Sequence, residues 1–199
     1  GGSQLAKLVR GLARQRHVET ASLMARMAVF FLAVMTPLQI ALGDAHGINT
    51  LAHQPAKLAA MEGLWETSAP APAVLFAVPD QVAQANRFEI AIPGLASFYL
   101  THDWDGEIRG ITSFGDQHPP GAPVCWAFRV MVGLGLLMLA VVAVSALQWW
   151  RGRLLQTRWL LDAWRWLSPS GFIALLAGWW VTEFGRQPWV VYGLLRTRD

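Results

Sequence analysis

Val124-Cys-Trp-Ala-Phe-Arg-Val-Met-Val-Gly-Leu-Gly-Leu-Leu-Met-Leu-Ala-Val-Val-Ala-Val-Ser-Ala-Leu-Gln-Trp-Trp150 carries a single charge, Arg129, in an otherwise apolar run. About 20 such residues cross the hydrocarbon core of a bilayer, so the stretch reads as a transmembrane helix over 124–150. Two further stretches follow the same rule. One covers 23–43, with Arg26 near its start and Pro37 placed to kink it. The other covers 167–184 and is the shortest of the three. Composition agrees: 54% of residues are hydrophobic and eleven are tryptophan, while 15% are charged. A charged share near 25% is typical of soluble domains. The fold class is an all-α membrane protein.

Working outward, the charges give an orientation. Lys7, Arg10, Arg14, Arg16 and Arg26 precede or open the first helix, and Arg151, Arg153, Arg158 and Arg165 follow the second. Between them, 44–123 holds only Lys57, Arg87 and Arg109 against nine acidic residues. Basic loops stay on the cytoplasmic side. Segments 1–22 and 151–166 are therefore expected inside, and 44–123 is expected to be a long outer, periplasmic loop. The third helix then exits outward into an outer segment, 185–199. The net charge of +3 is small and patchy, which excludes a nucleic-acid footprint. Cys125 is the only cysteine, so no internal disulfide can form. The first twenty residues are polar and basic, which is not a signal-peptide pattern, and Gly1-Gly2-Ser3 reads as a fragment boundary.

The long loop is not of low complexity. Pro55–Thr67 reads as a short helix, broken by Glu66-Thr-Ser-Ala-Pro-Ala-Pro72. Leu75–Pro79 and Phe88–Pro93 are short apolar pieces for which an extended conformation is one reading. On the helix, Met61 and Trp65 would share one face, and Glu62 and Glu66 the next. By spacing alone, this is an amphipathic surface helix with Lys57 near Glu62.

Two more groups stand at helix ends. Arg129 and Met131 lie within two turns of the start of the second helix. A guanidinium there needs an anion, whereas a membrane methionine is open to two readings, core filler or soft iron ligand. At the other exit, Gly178-Trp-Trp-Val-Thr-Glu-Phe-Gly-Arg-Gln-Pro-Trp189 places Glu183 one turn before Arg186, and Pro188 must end the helix. Glu183 either pairs with Arg186 or binds a metal, and Trp179 lies one turn before it on the same face. None of the five histidines lies in an apolar helix, and His102-Asp-Trp-Asp105 is too sparse for a metal site.

Three blocks together resemble subunit I of the cytochrome bd family of quinol oxidases. They are Gly43-Asp44 with Lys57-Leu-Ala-Ala-Met-Glu-Gly-Leu-Trp-Glu-Thr67, Phe128-Arg-Val-Met-Val-Gly-Leu-Gly135, and the Gly178–Trp189 segment. The shorter outer loop and Thr101-His-Asp-Trp-Asp-Gly106 resemble the short-loop, cyanide-insensitive type. The resemblance implies three transmembrane helices of a larger helical bundle in a bacterial inner membrane. It implies a quinol:oxygen oxidoreductase that reduces oxygen to water and builds a membrane potential without pumping protons. Lys57 and Glu62 would serve quinol binding and oxidation. Met131 would ligate a low-spin haem b, with Arg129 stabilising its reduced form. Glu183 would ligate a high-spin haem b, with Trp179 lying between that haem and haem d, and Arg186 belonging to the same cofactor site. The haem d ligand would lie outside this chain. Partners would be membrane quinol, oxygen, lipid, subunit II and the remainder of subunit I, including a helix after Asp199. The chain alone would then be inactive. Two other classes remain open: a non-catalytic membrane scaffold or transport subunit with a folded outer loop, and an outer-facing binding module anchored by three helices.

Overall fold

The computed structural model of the chain describes Gly2 to Thr197. Gly1, Arg198 and Asp199, and the side chains of Lys7, Arg10 and Arg14 invoked for orientation, lie outside the described residues. Helix α1 runs Gly2–His53 and α2 Pro55–Glu62. Strands β1 (Ala73–Asp80) and β2 (Ala85–Ile92) form an antiparallel hairpin, followed by α3 (Leu95–Thr101) and a 3-10 segment, Ile111–Gln117. Then come α4 (Gly121–Trp150), α5 (Arg158–Leu167), α6 (Ser170–Gly185) and a small pair, β3 (Trp189–Val191) and β4 (Leu195–Arg196). The chain is thus mostly helical, but not all-α: the extended reading of the two apolar loop pieces holds, and they pair as β1 and β2.

Among the described residues, two helices have the length and apolarity to cross a membrane, Gln15–His53 within α1 and all of α4. The third expected helix differs. It begins at Ser170, because Pro169 and Ser168 separate it from α5, and its 16 residues give about 24 Å at 1.5 Å per residue. That is short of the roughly 30 Å hydrocarbon core. The first helix differs in the other direction. It passes through Pro37 and past Gly43 to His53, so the segment after 43 starts as helix, not loop. Segment 151–166 is not all loop either: α5 starts within it at Arg158.

The chain divides into two compact units. One comprises the chain up to Gln39 together with Leu137–Ser168. Its core is Val29, Leu154 and Leu160, with Val141, Val144, Trp149 and Trp164 packed around them. Trp164 Nε1 donates to Ser145 Oγ at 2.9 Å, which ties α5 to α4.

The other unit comprises Ile40–Leu136 and the chain from Pro169. Helix α2 stands at its centre between two cores. Leu58 joins Leu64, Val74, Ala96, Leu100 and Ile108 on one side. Ala59, Ala60 and Met61 join Trp65, Ile111, Val124 and Val181 on the other. Six of the eight α2 residues are buried, so α2 is a core helix and not an amphipathic surface helix. It is also shorter than expected. Gly63 takes a left-handed conformation with φ of 69° and closes the helix, the usual role of a glycine after a C-terminus. Trp65 and Glu66 therefore leave the helix, although Trp65 still packs beside Met61.

Candidate functional site

Helix α2 ends with carbonyls that have no partner within the helix. Arg129, reaching from α4, supplies them: Nη1 donates to Met61 O at 2.8 Å and Nη2 to Glu62 O at 2.7 Å. A cation at this end also complements the helix dipole. The same Nη2 lies 4.0 Å from Glu62 Oε2. Arg129 Nε is buried and has no hydrogen-bond partner among the described residues. The Nε donor of the guanidinium thus remains for an anionic group.

Glu62 is 3% exposed. Burial raises its pKa above the ordinary carboxylate value, while the Arg129 charge and a hydrogen bond from Tyr99 pull the other way. Burial wins, so this carboxyl holds a proton more readily than one in water. Tyr99, on α3, is a partner that the sequence did not disclose. Its only signal was a hydroxyl set between apolar neighbours in Phe98-Tyr-Leu100. Burial and the adjacent Glu62 raise the tyrosine pKa as well. A second polar chain fixes the turn after α2. Trp65 Nε1 donates to Asn86 Oδ1 at 2.8 Å, and Asn86 Nδ2 donates to Gly63 O at 2.8 Å.

Lys57 opens the other end of α2 toward α6. A Cβ placed on Gly185 would lie 2.9 Å from Lys57 Cε, so the lysine stem runs directly over that glycine. Burial lowers the Lys57 pKa, the Arg186 charge lowers it further, and Glu183 opposes both. The fold therefore brings Lys57 to the Glu183–Arg186 pair, whose Nη2 and Oε2 are 2.8 Å apart. That pair is half exposed, at 44% for Glu183 and 50% for Arg186. Met131 meets α6 as well: a Cβ on Gly178 would lie 2.9 Å from its sulfur. Trp179, the next residue, is 65% exposed.

All seven expected site residues fall in one unit, on α2, α4 and α6 or just after it. Five of them form two neighbourhoods, Glu62 with Arg129 and Lys57 with Glu183 and Arg186, while Met131 lies against Gly178 beside the exposed Trp179. The His102–Asp105 run forms the end of α3 and a turn. No cluster of three or more His, Cys, Asp or Glu occurs among the described residues. A porphyrin iron does not need one, because the macrocycle fills most of its coordination sphere and the protein adds axial ligands. The Met131 thioether and the half-exposed Glu183 carboxylate are donors of the axial type, and the Arg129 Nε donor is of the type that meets an anionic substituent.

A family model described as cytochrome bd terminal oxidase subunit I matches residues 2–199. Subunit 1 of the cytochrome bd-II ubiquinol oxidase of Escherichia coli (strain K12) is 32% identical over 257 aligned positions, covering 96% of this chain and 49% of that protein. Subunit 1 of the cytochrome bd ubiquinol oxidase of Bacillus subtilis (strain 168) is 35% identical, covering 78% of this chain and 36% of that protein. Among solved structures, the bd oxidase from Geobacillus thermodenitrificans superposes with a TM-score of 0.69 at 29% identity, over 84% of this chain and 39% of that one. The chain spans about half the length of the E. coli relative and a little over a third of the Bacillus one. With a match along essentially every residue and a shared backbone, the chain belongs to the cytochrome bd terminal oxidase subunit I family.

Proposed function

We propose that this chain carries the quinol-oxidising part of subunit I of a bd-type terminal oxidase, a quinol:oxygen oxidoreductase of the bacterial inner membrane. The observation that carries the proposal is Glu62: a buried carboxyl with raised proton affinity, held by Arg129 and Tyr99, on the same short helix as Lys57.

Oxidation of a quinol releases two protons with two electrons. A carboxylate whose pKa is raised by burial is a stronger base for a hydroxyl proton than a free one. Glu62 would take one proton at a carboxylate oxygen, with Tyr99 and Arg129 fixing the orientation of the acceptor. Lys57 would orient a quinol oxygen; its depressed pKa reflects a half-buried ammonium already facing Arg186. Met131 and Glu183 would be axial ligands of a low-spin and a high-spin haem b, and Arg129 Nε a donor to a propionate. When bound, the haems, including a haem d ligated outside this chain, supply electron acceptance and the reduction of oxygen to water. Subunit II and the rest of subunit I would complete the enzyme. Protons released outside and consumed from inside would build a membrane potential without pumping.

Quinol-dependent oxygen consumption by the full-length oxidase tests this. Lys57→Ala and Glu62→Ala should raise KM, lower kcat or both, with about 10²–10⁴-fold at stake for a lost acid–base group. Haem content should stay as in the parent enzyme. Unimpaired turnover across a range of quinol concentrations would return both residues to a purely structural role in α2.

A further inference from the structure

Helix α5 follows the membrane-length helix α4 after one short turn and precedes α6 by two residues. Its side chains sort by face at 3.6 residues per turn. Leu160 and Trp164 point inward, into the core with Val29 and Leu154. Arg158, Asp162 and Arg165 form the opposite stripe. Trp159 and Trp166 lie together along one edge of that stripe, 59% and 81% exposed. The turn leading into α5 adds exposed Arg151 and Arg153, and Trp150 at the end of α4 is 85% exposed. None of these four arginines forms an ion pair with a described residue. A shallow cavity of about 420 Å³ lies against Asp162, Arg165 and Trp166.

We propose that α5 and its lead-in form a docking surface for anionic phospholipid in the leaflet that α4 reaches at Trp150. The occupant follows from continuity and charge. α5 is covalently continuous with the end of a bilayer-length helix, which places it at the membrane surface. Exposed indoles are at home in that headgroup zone. An amphipathic helix whose polar face carries arginine, with tryptophan along its edge, lies in the interface plane. Zwitterionic lipid would satisfy the indoles but brings a cation with each phosphate and no net field, whereas an anionic leaflet attracts all four arginines. In the cavity, Arg165 can donate to a lipid phosphate, while the Asp162 carboxylate can accept only from a headgroup donor. Phosphatidylglycerol offers both, a phosphate and headgroup hydroxyls.

The test uses the full oxidase complex in detergent and in phosphatidylcholine nanodiscs with or without phosphatidylglycerol. Native mass spectrometry counts the phosphatidylglycerol retained. Arg158→Gln with Arg165→Gln should weaken retention roughly tenfold or more, since each basic group contributes severalfold at an anionic surface. Arg158→Lys with Arg165→Lys should retain it, and Arg109→Gln, an exposed arginine elsewhere in the chain, should change nothing. Brominated phosphatidylglycerol should quench tryptophan emission less in Trp166→Phe than in the parent. The proposal fails if the Gln pair retains as much lipid as the parent, or if Arg109→Gln loses as much. It also fails if Trp166 is untouched by brominated lipid, which would mean that a protein surface covers α5.

Discussion

Arg129 shows what one side chain can and cannot reveal in a sequence. A lone guanidinium in an apolar helix announces that it has a partner, but not which one. Here two of its donors go to carbonyls 67 and 68 residues earlier in the chain, a contact that no local spacing encodes. Glu183 is the opposite case: its partner Arg186 is one turn away and was legible at once. Legibility of the pair does not settle its role, and magnitude decides what to measure. An ion pair this exposed contributes about 0.2–1 kcal/mol. If pairing is all that Glu183 does, Glu183→Ala and Arg186→Ala should each cost no more than that, with every haem retained. If Glu183 ligates a haem iron, Glu183→Ala in the full-length oxidase should lose the high-spin haem b, and haem d with it. The low-spin haem should survive, because Met131 stands on a different helix. Haem quantification on both variants separates the two accounts, and full haem content in Glu183→Ala would remove the ligand assignment.

At the scale of elements, the loop is organised by what packs around α2. The 108–112 strip returns to the residues after α2: Ile111 N donates to Leu64 O at 2.8 Å, Thr112 N to Trp65 O at 3.1 Å, and Gly110 N to Thr67 Oγ1 at 3.1 Å. This approach is so close that a Cβ on Gly110 would land on the Trp65 carbonyl and the Glu66 backbone. Backbone cannot swing aside as a side chain can. Gly110→Ala should therefore destabilise the unit by roughly 3–5 kcal/mol, the range of severe steric or core lesions. Gly178→Ala meets only the flexible end of Met131 and should cost about 1 kcal/mol or less, with thermal unfolding of both variants as the measurement. Equal midpoints for the two variants would contradict the close return of 108–112. The elements themselves were unevenly legible. Apolar pieces at 75–79 and 88–93 suggested strands, yet their pairing needed the Asp80 turn, whose carboxylate accepts from Val82 N and Ala83 N. The end of α2 was written in Gly63, but a helical spacing of Glu62 and Glu66 argued for running past it. α5 reads as loop because the basic run Arg151, Arg153, Arg158 and Arg165 dominates its segment, and at ten residues the helix is short.

For the whole molecule, apolar length was the strongest signal, and it placed α4 almost residue for residue. It did less well where a helix continues beyond its apolar part. α1 has 52 residues, about 78 Å, more than twice a hydrocarbon core. Asp44, His46 and Asn49 read as loop because they are polar, yet a helix needs no apolar face once it has left the bilayer. The two ends of α4 carry the argument about orientation. Its 30 residues reach about 45 Å, enough to put the segments before and after it on opposite sides of a membrane. The segment before it, 44–123, is acidic on balance, and the segment after it, 151–166, is basic, so the first should face outward and the second inward. Asp103 and Arg153 are both exposed and suit single-cysteine labelling, while the native Cys125 is buried and should react little. In intact cells, a membrane-impermeant maleimide added from the periplasmic side should modify Asp103→Cys and spare Arg153→Cys until the membrane is permeabilised. The reverse pattern would invert the protein. Lys57, Glu62 and Glu183 would then face the cytoplasm, and protons from quinol would be released on the side that consumes them. That outcome would leave the proposed oxidase chemistry possible but remove the proposed route by which turnover would build a membrane potential.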